Sequence, residues 1–284
     1  MRPAPRAPPA SIPAGIAAPD FSMEGQARPP LTGHELRSLR KAATVAASVL
    51  DQACAAVAVG VTTEYVDNVA HAACIAAGAY PTGLGFRGFP KSCCTSVNEV
   101  VCHGIPDSRP LAEGDILTID CVAFIDGMHG DNARTVIVGA ADVESQALAL
   151  TAKESVEEAI SVVGPGVPYR EMSRAVHDLA TEAGYSVVRE YGGHGIGKNL
   201  HMPPVISFHP AHMSSDWIMQ VGHTFTIEPM LLTGSNEIKV WGDGWTVVTA
   251  DGGRAAQYEH MVVVTEDGAD VLTRTPACDQ LIYG

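Results

Sequence analysis

The stretch that decides the fold reads Ile116-Leu-Thr-Ile-Asp120-Cys-Val-Ala-Phe-Ile125-Asp-Gly-Met128-His-Gly-Asp131-Asn-Ala-Arg-Thr-Val-Ile-Val138. Asp126-Gly127 is a two-residue hairpin signal between apolar runs, and it predicts that position 125 pairs with 128 and 120 with 133. Asp120 and Asp131 are then diagonal neighbours on one face, with Cβ atoms about 7–8 Å apart or less. This separation suits one metal ion or a pair of ions about 3.5–4 Å apart. A one-residue slip, or a bulge at His129-Gly130, would change the geometry and leave two solvent-facing acids.

Two further carboxylates belong to apolar, strand-like runs, Thr224-Phe-Thr-Ile-Glu228 and Glu259-His-Met-Val-Val-Val264. An ionised carboxylate is costly to bury unless a cation or a dense shell of hydrogen bonds compensates. His194, isolated between glycines, is a fifth candidate ligand. A carboxylate-rich site with one imidazole favours Mn, Co or Fe(II) over a closed structural zinc site. The pattern therefore predicts a dinuclear metal centre whose ligands are Asp120, Asp131, His194, Glu228 and Glu259.

The glycine run around His194 also comes close to a nucleotide-binding loop of the form GxxxxGK[ST]. Asn199 stands where that loop needs a serine or threonine to hold magnesium, and Pro203 and Pro204 interrupt the helix that must follow. We therefore reject a nucleotide site. The glycines instead permit close approach of the backbone to a ligand.

An internal repeat is visible in the sequence. Residues 50–61 parallel residues 156–167 at an offset of 106, and residues 114–120 parallel residues 222–228 at an offset of 108. Two matches at nearly one offset predict a duplicated helix–helix–strand unit, with Asp120 and Glu228 at equivalent positions. The first helix is expected to begin at a Thr32-Gly-His-Glu35 capping box and to stop near Gly60, and the second to cover residues 63–77.

Composition places the chain among globular proteins with a sizeable core. The 284 residues are 46% hydrophobic and 18% charged, which suits one large domain or two small ones. A net charge of −14 argues against nucleic acid and anionic membranes as partners. Seven cysteines without a CxxC spacing indicate reduced thiols and a cytoplasmic setting. Neither a membrane-spanning apolar run nor a signal peptide is apparent.

The five candidate ligands occur in the contexts TIDC, GDNAR, GGHGIG, FTIEPM and QYEH, and the chain also contains GFPKS at 88–92, NEVVCHGIP at 98–106 and DGWTV at 243–247. In this order, from about residue 32 to the end, the chain resembles the type I methionine aminopeptidases. The resemblance implies the α/β (α+β) pita-bread fold: two pseudo-symmetric halves, a central curved antiparallel sheet and flanking helices around two divalent metal ions. It also implies a hydrolase that removes the initiator methionine from new proteins when the next residue is small.

The resemblance further implies individual roles. Asp120 and Glu259 would bridge or share the two ions, and Glu228, at the edge of the centre, is placed to take a proton from the attacking water. His103 and His201 would contact the substrate amide and the tetrahedral intermediate. The family often has tyrosines at the positions of Phe86 and Phe89 and a phenylalanine at that of Leu200, so the pocket keeps its apolar character with an altered shape. The methionine pocket would be lined by Phe86, Phe89, Cys94, Leu200 and Trp245.

The proline-rich residues 1–31 form an N-terminal extension outside the core resemblance, and residues 32–284 a single catalytic domain. With eight prolines and many alanines, the extension is expected to be extended or disordered and unable to pack. Pro5-Arg-Ala-Pro8 fits a PxxP ligand, and a partner such as the ribosome is one hypothesis for it. The alternative is a passive tail.

Two other functions stay open at this stage. One is a proline-specific peptidase of the same fold, such as a prolidase, and the other is a non-catalytic binding scaffold. A scaffold of this fold would be expected to have lost ligands, whereas all five are present. The expected partners are nascent polypeptides and peptides with N-terminal methionine, with no nucleic acid and no membrane, and we expect a monomer.

Overall fold

The computed structural model describes residues 3–25, 30–31, 33–210, 217–279 and 282–284. Among these residues, none of the helices combines the length and the apolar character that crossing a bilayer requires. The helices are α1 (Gly33–Ala55), α2 (Thr63–Ala76), α3 (Val143–Ser161) and α4 (Arg170–Glu182). The strands are β1 (Tyr80–Pro81), β2 (Cys94–Val97), β3 (Val100–Cys102), β4 (Ile116–Ile125), β5 (Met128–Ile137), β6 (Ser186–Val187), β7 (Gly193–Gly195), β8 (Met202–Ile206), β9 (Thr224–Ile227), β10 (Met230–Leu232), β11 (Ile238–Val240), β12 (Val247–Thr249), β13 (Ala255–Gln257), β14 (His260–Val264), β15 (Ala269–Val271) and β16 (Ile282–Tyr283).

The long hairpin β4–β5 has the register that the Asp-Gly turn predicts. Ile125 pairs with Met128 and Asp120 with Ala133, and the ladder runs without a bulge from one end to the other. Asp126 and Gly127 have φ of 52° and 77°, the left-handed backbone that a two-residue hairpin turn requires. Because Asp131 lies opposite Val122, it is a same-face diagonal neighbour of Asp120. The hairpin prediction is confirmed.

Two helix pairs precede two equivalent strands. Helices α1 and α2 lead to β4, and α3 and α4 lead to β9, in the order that the repeat predicts. Gly60 and Gly166, equivalent at the offset of 106, both have a φ of 85°. One hydrophobic cluster packs α1 and α2 against β4 and β5, and another packs α3 and α4 against β9 and β14. Each half therefore buries its own apolar face.

The helix boundaries follow local capping chemistry. Helix α2 begins after Thr62, whose side chain accepts a hydrogen bond from the Tyr65 N–H, and it ends before Gly78, which has a positive φ. Helix α1 ends at Ala55, five residues before the expected stop at Gly60. Thr32, the expected cap of α1, lies outside the described residues.

The strands of the described residues form four sheets. They have the orders β1-β4-β5-β16 with β2 beside β4, β13-β10-β6, β11-β12-β3, and β15-β14-β9-β7-β8. The pairing is antiparallel except between β16 and β5. A bridge between Ala133 and Glu259 connects β5 to the residue before β14. Nearby, the Thr135 hydroxyl donates to the Gln257 carbonyl and the Tyr258 hydroxyl donates to the Thr135 carbonyl. The centre of the molecule is the place where the two halves share hydrogen bonds.

The N-terminal segment lies along the domain. Its described residues have no regular secondary structure apart from a short 3-10 helix, Phe21–Met23, and the chain turns at residues 14–15. Ala4 N–H donates to the Asp107 carboxylate at 2.8 Å, and the Pro5 carbonyl accepts from Ser108 N–H at 2.9 Å. The interpretation that this segment cannot pack is therefore wrong. It docks through backbone hydrogen bonds and through the side chains of Phe21 and Leu31, which pack with the hydrophobic cluster of the first half.

Candidate metal centre

Three carboxylates meet where the halves join. Donor oxygens of Asp120, Asp131 and Glu259 all lie within 4.8 Å of one another. The β4–β5 hairpin provides the two aspartates on one face, and the bridge of Glu259 to Ala133 sets the glutamate beside them. Glu259 is 3% exposed and Asp131 5% exposed, while Asp120 is partly exposed. Three acids from distant parts of the chain thus face one another away from bulk water.

His194 and Glu228 complete the cluster. His194 Nε2 lies 3.4 Å from Glu228 Oε1 and 3.7 Å from Asp131 Oδ2. His194 lies in β7, whose pairing register with β8 shifts directly after it. A Cβ on the preceding Gly193 would overlap the Thr226 carbonyl, so only glycine allows β7 to approach β9 this closely. Because these glycines form a strand and start no helix, the rejection of a nucleotide loop is consistent with the structure.

Hydrogen bonds fix the orientation of both side chains. The Thr226 hydroxyl donates to Glu228 Oε1 at 2.8 Å and accepts from the His194 N–H at 3.0 Å. Gln257 Nε2 donates to Glu228 Oε2 at 3.3 Å. His194 Nδ1 lies 3.2 Å from the Gly195 carbonyl, which can only accept, so Nδ1 carries the proton. The Nε2 lone pair of the neutral ring consequently faces two carboxylates.

Burial dominates the electrostatics of the cluster. It raises the pKa of Asp120 to about 7. It also raises the pKa of Asp131, Glu228 and Glu259 well above the usual range, and the neighbouring acids add to the effect. Burial, helped by the nearby His201, lowers the pKa of His194 to about 3, which keeps the imidazole neutral. Among the residues that the structure describes, this cluster of four acids and one neutral imidazole contains no cationic side chain to balance the acids.

The donor set fits divalent cations. Asp120 Oδ1 and Glu259 Oε1 are buried and have no hydrogen-bond partner among the described residues, although buried oxygens normally have one. The Nε2 lone pair of His194 points at carboxylate oxygens, an arrangement that is repulsive unless a proton or a metal cation lies between them. Four ionised carboxylates balance the charge of two divalent ions. Oxygen ligands with one imidazole suit Mn, Co or Fe(II).

A cavity of about 470 Å³ opens on this cluster. Phe89 packs edge-on against Trp245, with ring centroids 5.1 Å apart, and Phe86 lies 5.2 Å from the His201 ring. Cys94 pairs with Asp120 across β2 and β4, so the apolar wall adjoins the acids directly. All the site residues expected from the sequence line this one cavity: Phe86, Phe89, Cys94, His103, Asp120, Asp131, His194, Leu200, His201, Glu228, Trp245 and Glu259.

The two histidines expected outside the ligand set border the cavity in different ways. His103 follows β3 with a φ of 55°, and burial lowers the pKa of its imidazole to about 4. The ring contacts Tyr191 and Trp245 edge-on, with centroids 5.3 and 6.0 Å away. His201 is more open, with 42% of its side chain exposed, and its ring lies 4.4 Å from that of His194.

Sequence reasoning missed some residues of this cavity. Tyr191, Met202 and Met230 line it, and each stands near a residue already singled out, which was a usable signal. Gly25 lines it too, although it belongs to the N-terminal extension. Nothing in the local pattern of the extension pointed to the cavity, because the contact depends on how the segment docks.

Comparisons with known proteins agree with this geometry. The profile of metallopeptidase family M24 matches residues 37–266. The chain is 45% identical over 273 residues to methionine aminopeptidase 1A of Arabidopsis thaliana, covering 92% of this chain and 68% of that protein. It is 43% identical over 267 residues to methionine aminopeptidase 2 of Mycobacterium tuberculosis, covering 92% and 93% of the two chains.

Solved structures share the fold. Methionine aminopeptidase from Rickettsia prowazekii superposes with a TM-score of 0.84 at 36% identity, over 87% of this chain and 99% of that chain. Prolidase from Pyrococcus furiosus superposes with a TM-score of 0.71 at 21% identity, over 87% and 65%, and at that identity the likeness shows the fold alone. The expectation of a pita-bread architecture is confirmed.

Proposed function

This chain belongs to metallopeptidase family M24 and, within it, to the type I methionine aminopeptidases, and we propose how its own residues remove an N-terminal methionine. The enzyme is a hydrolase that cleaves N-terminal methionine from proteins and peptides. The observation that supports the residue assignment best is the gathering of three buried carboxylates and the partly exposed Asp120 around a neutral histidine in the lining of one cavity. A preference for a small second residue follows from the family resemblance.

We assign the metal ligands to Asp120, Asp131, His194, Glu228 and Glu259. Asp120 and Glu259, which each have a buried oxygen without a partner, are the residues we propose as shared between two divalent ions. Cobalt, manganese and iron(II) are the candidates. Such ions polarise a scissile carbonyl and activate a water nucleophile at neutral pH.

Side chains of the protein perform the other steps of the reaction. Glu228 takes the proton of the attacking water, and the hydrogen bonds from Thr226 and Gln257 hold its carboxylate in place. His103 hydrogen-bonds the scissile nitrogen, and His201 stabilises the oxyanion of the tetrahedral intermediate. The apolar wall of Phe86, Phe89, Cys94, Leu200 and Trp245 receives the methionine side chain and excludes water around it.

A substrate comparison tests this proposal. We expect protein reconstituted with Co²⁺, Mn²⁺ or Fe²⁺ to release free methionine from Met-Ala-Ser, more slowly from Met-Leu-Ser, and to leave Gly-Pro intact. Cleavage of Gly-Pro in preference to Met-Ala-Ser would replace the assignment by a proline-specific peptidase. Failure to cleave either peptide after verified metal loading would favour a binding scaffold. Metal analysis of protein purified without added metal identifies the resident ion.

The partners beyond the peptide substrate are proposals as well. The PxxP segment is anchored to the domain by the Pro5 carbonyl and the Arg6 side chain, while the rings of Pro5 and Pro8 remain exposed and accessible to a partner such as the ribosome. We propose that the enzyme acts as a monomer on nascent chains in the cytoplasm, where its seven unpaired cysteines stay reduced. Co-sedimentation with ribosomes, lost in a Pro5→Ala, Pro8→Ala variant, tests the contact.

A further inference from the structure

We propose that Glu24 of the N-terminal extension is a positioning residue that fixes His201 in the catalytic cleft. Its carboxylate accepts hydrogen bonds from Leu200 N–H at 2.9 Å and from His201 N–H at 2.8 Å. Glu24 Oε2 also lies 3.4 Å from His201 Nδ1. One side chain thus binds both the backbone and the ring of the histidine.

In the contact between Glu24 and His201, the glutamate side chain is buried. Only 8% of the Glu24 side chain is exposed, although the residue belongs to the proline-rich extension. Burial by itself would raise the pKa of Glu24, but the hydrogen bonds from His201 and Leu200 outweigh it and hold the pKa below its usual range. A carboxylate with these partners is ionised at neutral pH, and a charge-assisted hydrogen bond is about twice as strong as a neutral one.

The residue after Glu24 holds His201 from its other side. Gly25 N–H donates to the His201 carbonyl at 2.8 Å, so both backbone polar groups of His201 bind the extension. His201 precedes β8 and follows a segment without regular structure, in which no strand ladder fixes the backbone. Residues 24 and 25 therefore supply the restraint that a strand neighbour provides elsewhere.

Ring contacts extend this support into the pocket wall. Phe21 packs edge-on against Phe86 with centroids 5.0 Å apart, and Phe86 packs against His201 at 5.2 Å. The other side of the His201 ring faces His194 at 4.4 Å. The imidazole lies between a pocket residue and a ligand candidate, with Glu24 beside Nδ1. Both ring nitrogens of an imidazolium are donors, so with Nδ1–H facing the Glu24 carboxylate the Nε2–H of the charged ring is the donor available to the oxyanion.

This inference rests on the proposed role of His201 in stabilising the oxyanion. A catalytic group that is free to rotate spends less time in the reactive geometry, and even a small displacement of that group lowers the rate strongly. Glu24→Gln keeps the size of the side chain but replaces one acceptor oxygen by an NH₂ group facing N–H donors. We expect this variant to lower kcat about tenfold with KM changed less than about twofold, because the methionine pocket remains intact.

A double-mutant cycle on the full-length, metal-loaded enzyme tests the inference. The four proteins are the unchanged enzyme, Glu24→Gln, His201→Ala and the double variant, with kcat, KM and metal content measured for each. If Glu24 acts through His201, Glu24→Gln has no further effect on kcat in the His201→Ala background. The same tenfold loss in both backgrounds would overturn the inference and leave the role of His201 standing. If the single variant His201→Ala has an unchanged kcat, both the proposed role of His201 and the inference about Glu24 are overturned.

Hydrogen exchange gives a readout independent of turnover. In Glu24→Gln we expect faster amide exchange at Leu200 and His201, with an unchanged rate in the β4–β5 hairpin. The matched control is Glu35→Gln, which removes the partly exposed carboxylate in α1 that pairs at 2.6 Å with Lys198, a residue on the same loop as Leu200 and His201. It should leave kcat and exchange at His201 unaltered. Exchange at Leu200 and His201 that Glu24→Gln does not change would count against the inference.

Discussion

At the scale of single residues, Asp120 holds a buried oxygen, Oδ1, that has no hydrogen-bond partner in the described chain. Asp120→Asn removes the negative charge that we assign to two shared cations. We expect the variant to lose at least one ion per chain and nearly all hydrolysis, because an amide is a much weaker ligand for a hard cation. Metal analysis and a Met-Ala-Ser assay measure both effects.

The same hairpin offers a matched control for this substitution. Asp126 lies at its turn, half exposed, and pairs with Lys41 on the surface. Asp126→Asn preserves the left-handed backbone of the turn, since asparagine tolerates it well. The control should retain both ions and full activity. Retention of both ions and near-normal turnover in Asp120→Asn itself would contradict the dinuclear assignment.

His103 gives a second prediction at the residue scale. His103→Asn suits the φ of 55° at this position and separates the loss of the imidazole from backbone strain. We expect kcat to fall by on the order of 10²–10³, since one donor to the transition state is lost, while metal content and melting temperature stay unchanged. A His103→Asn enzyme that loses metal would instead make this residue a ligand.

At the scale of elements, the turn before β12 depends on Asp243. Its carboxylate accepts from Trp245 N–H at 3.0 Å, from Thr246 N–H at 2.9 Å and from the Thr246 hydroxyl at 2.8 Å. Asp243→Ala leaves these donors unpaired and releases Trp245 from the methionine pocket. We expect KM to rise about tenfold, equivalent to about 1.4 kcal/mol, with a smaller change in kcat.

Arg6 of the extension provides the control for that turn. Arg6 NH2 lies 3.1 Å from Asp243 Oδ2, and its removal leaves the three hydrogen bonds within the turn in place. Arg6→Ala should therefore alter KM less than about twofold, as a partly exposed ion pair contributes little. Equal effects of both substitutions on KM would show that the extension, and not the turn, holds Trp245.

At the scale of the whole molecule, the ligand candidates come from both halves. Asp120 and Asp131 belong to β4 and β5, whereas His194, Glu228 and Glu259 belong to the second repeat and the strands that follow it. Ions held by these residues would connect the halves, and a ligand present at 100 times its Kd stabilises the folded state by about 2.7 kcal/mol. Chelation should lower the melting temperature by roughly 5 °C or more.

The fall in melting temperature caused by chelation should be reversible. Addition of Co²⁺ or Mn²⁺ to the chelated protein should restore the original melting temperature, and calorimetry before and after addition measures it. A melting temperature that does not move after verified loss of metal would mean that the carboxylates are accommodated without a cation.

The features that the sequence by itself determined arise either from local interactions or from the internal repeat. The Asp-Gly turn fixed the register that makes Asp120 and Asp131 neighbours, since a two-residue loop allows one pairing of its strands. The repeat predicted the two helix pairs, because equal patterns bury equal faces. Apolar runs interrupted by carboxylates indicated the ligand candidates, since burial of a charge demands a reason.

Tertiary structure alone decided what depends on distant segments meeting. The bridge of Glu259 to Ala133, the contact of Glu24 with His201 and the place of Gly25 in the cavity each join segments with no sequence pattern in common. The extension has no apolar period, so its sequence predicted a segment unable to pack, yet backbone hydrogen bonds, single carboxylates and the isolated apolar side chains of Phe21 and Leu31 dock it. Such bonds are formed by groups that every residue or any surface acid possesses, and only the folded surface determines which of them find partners.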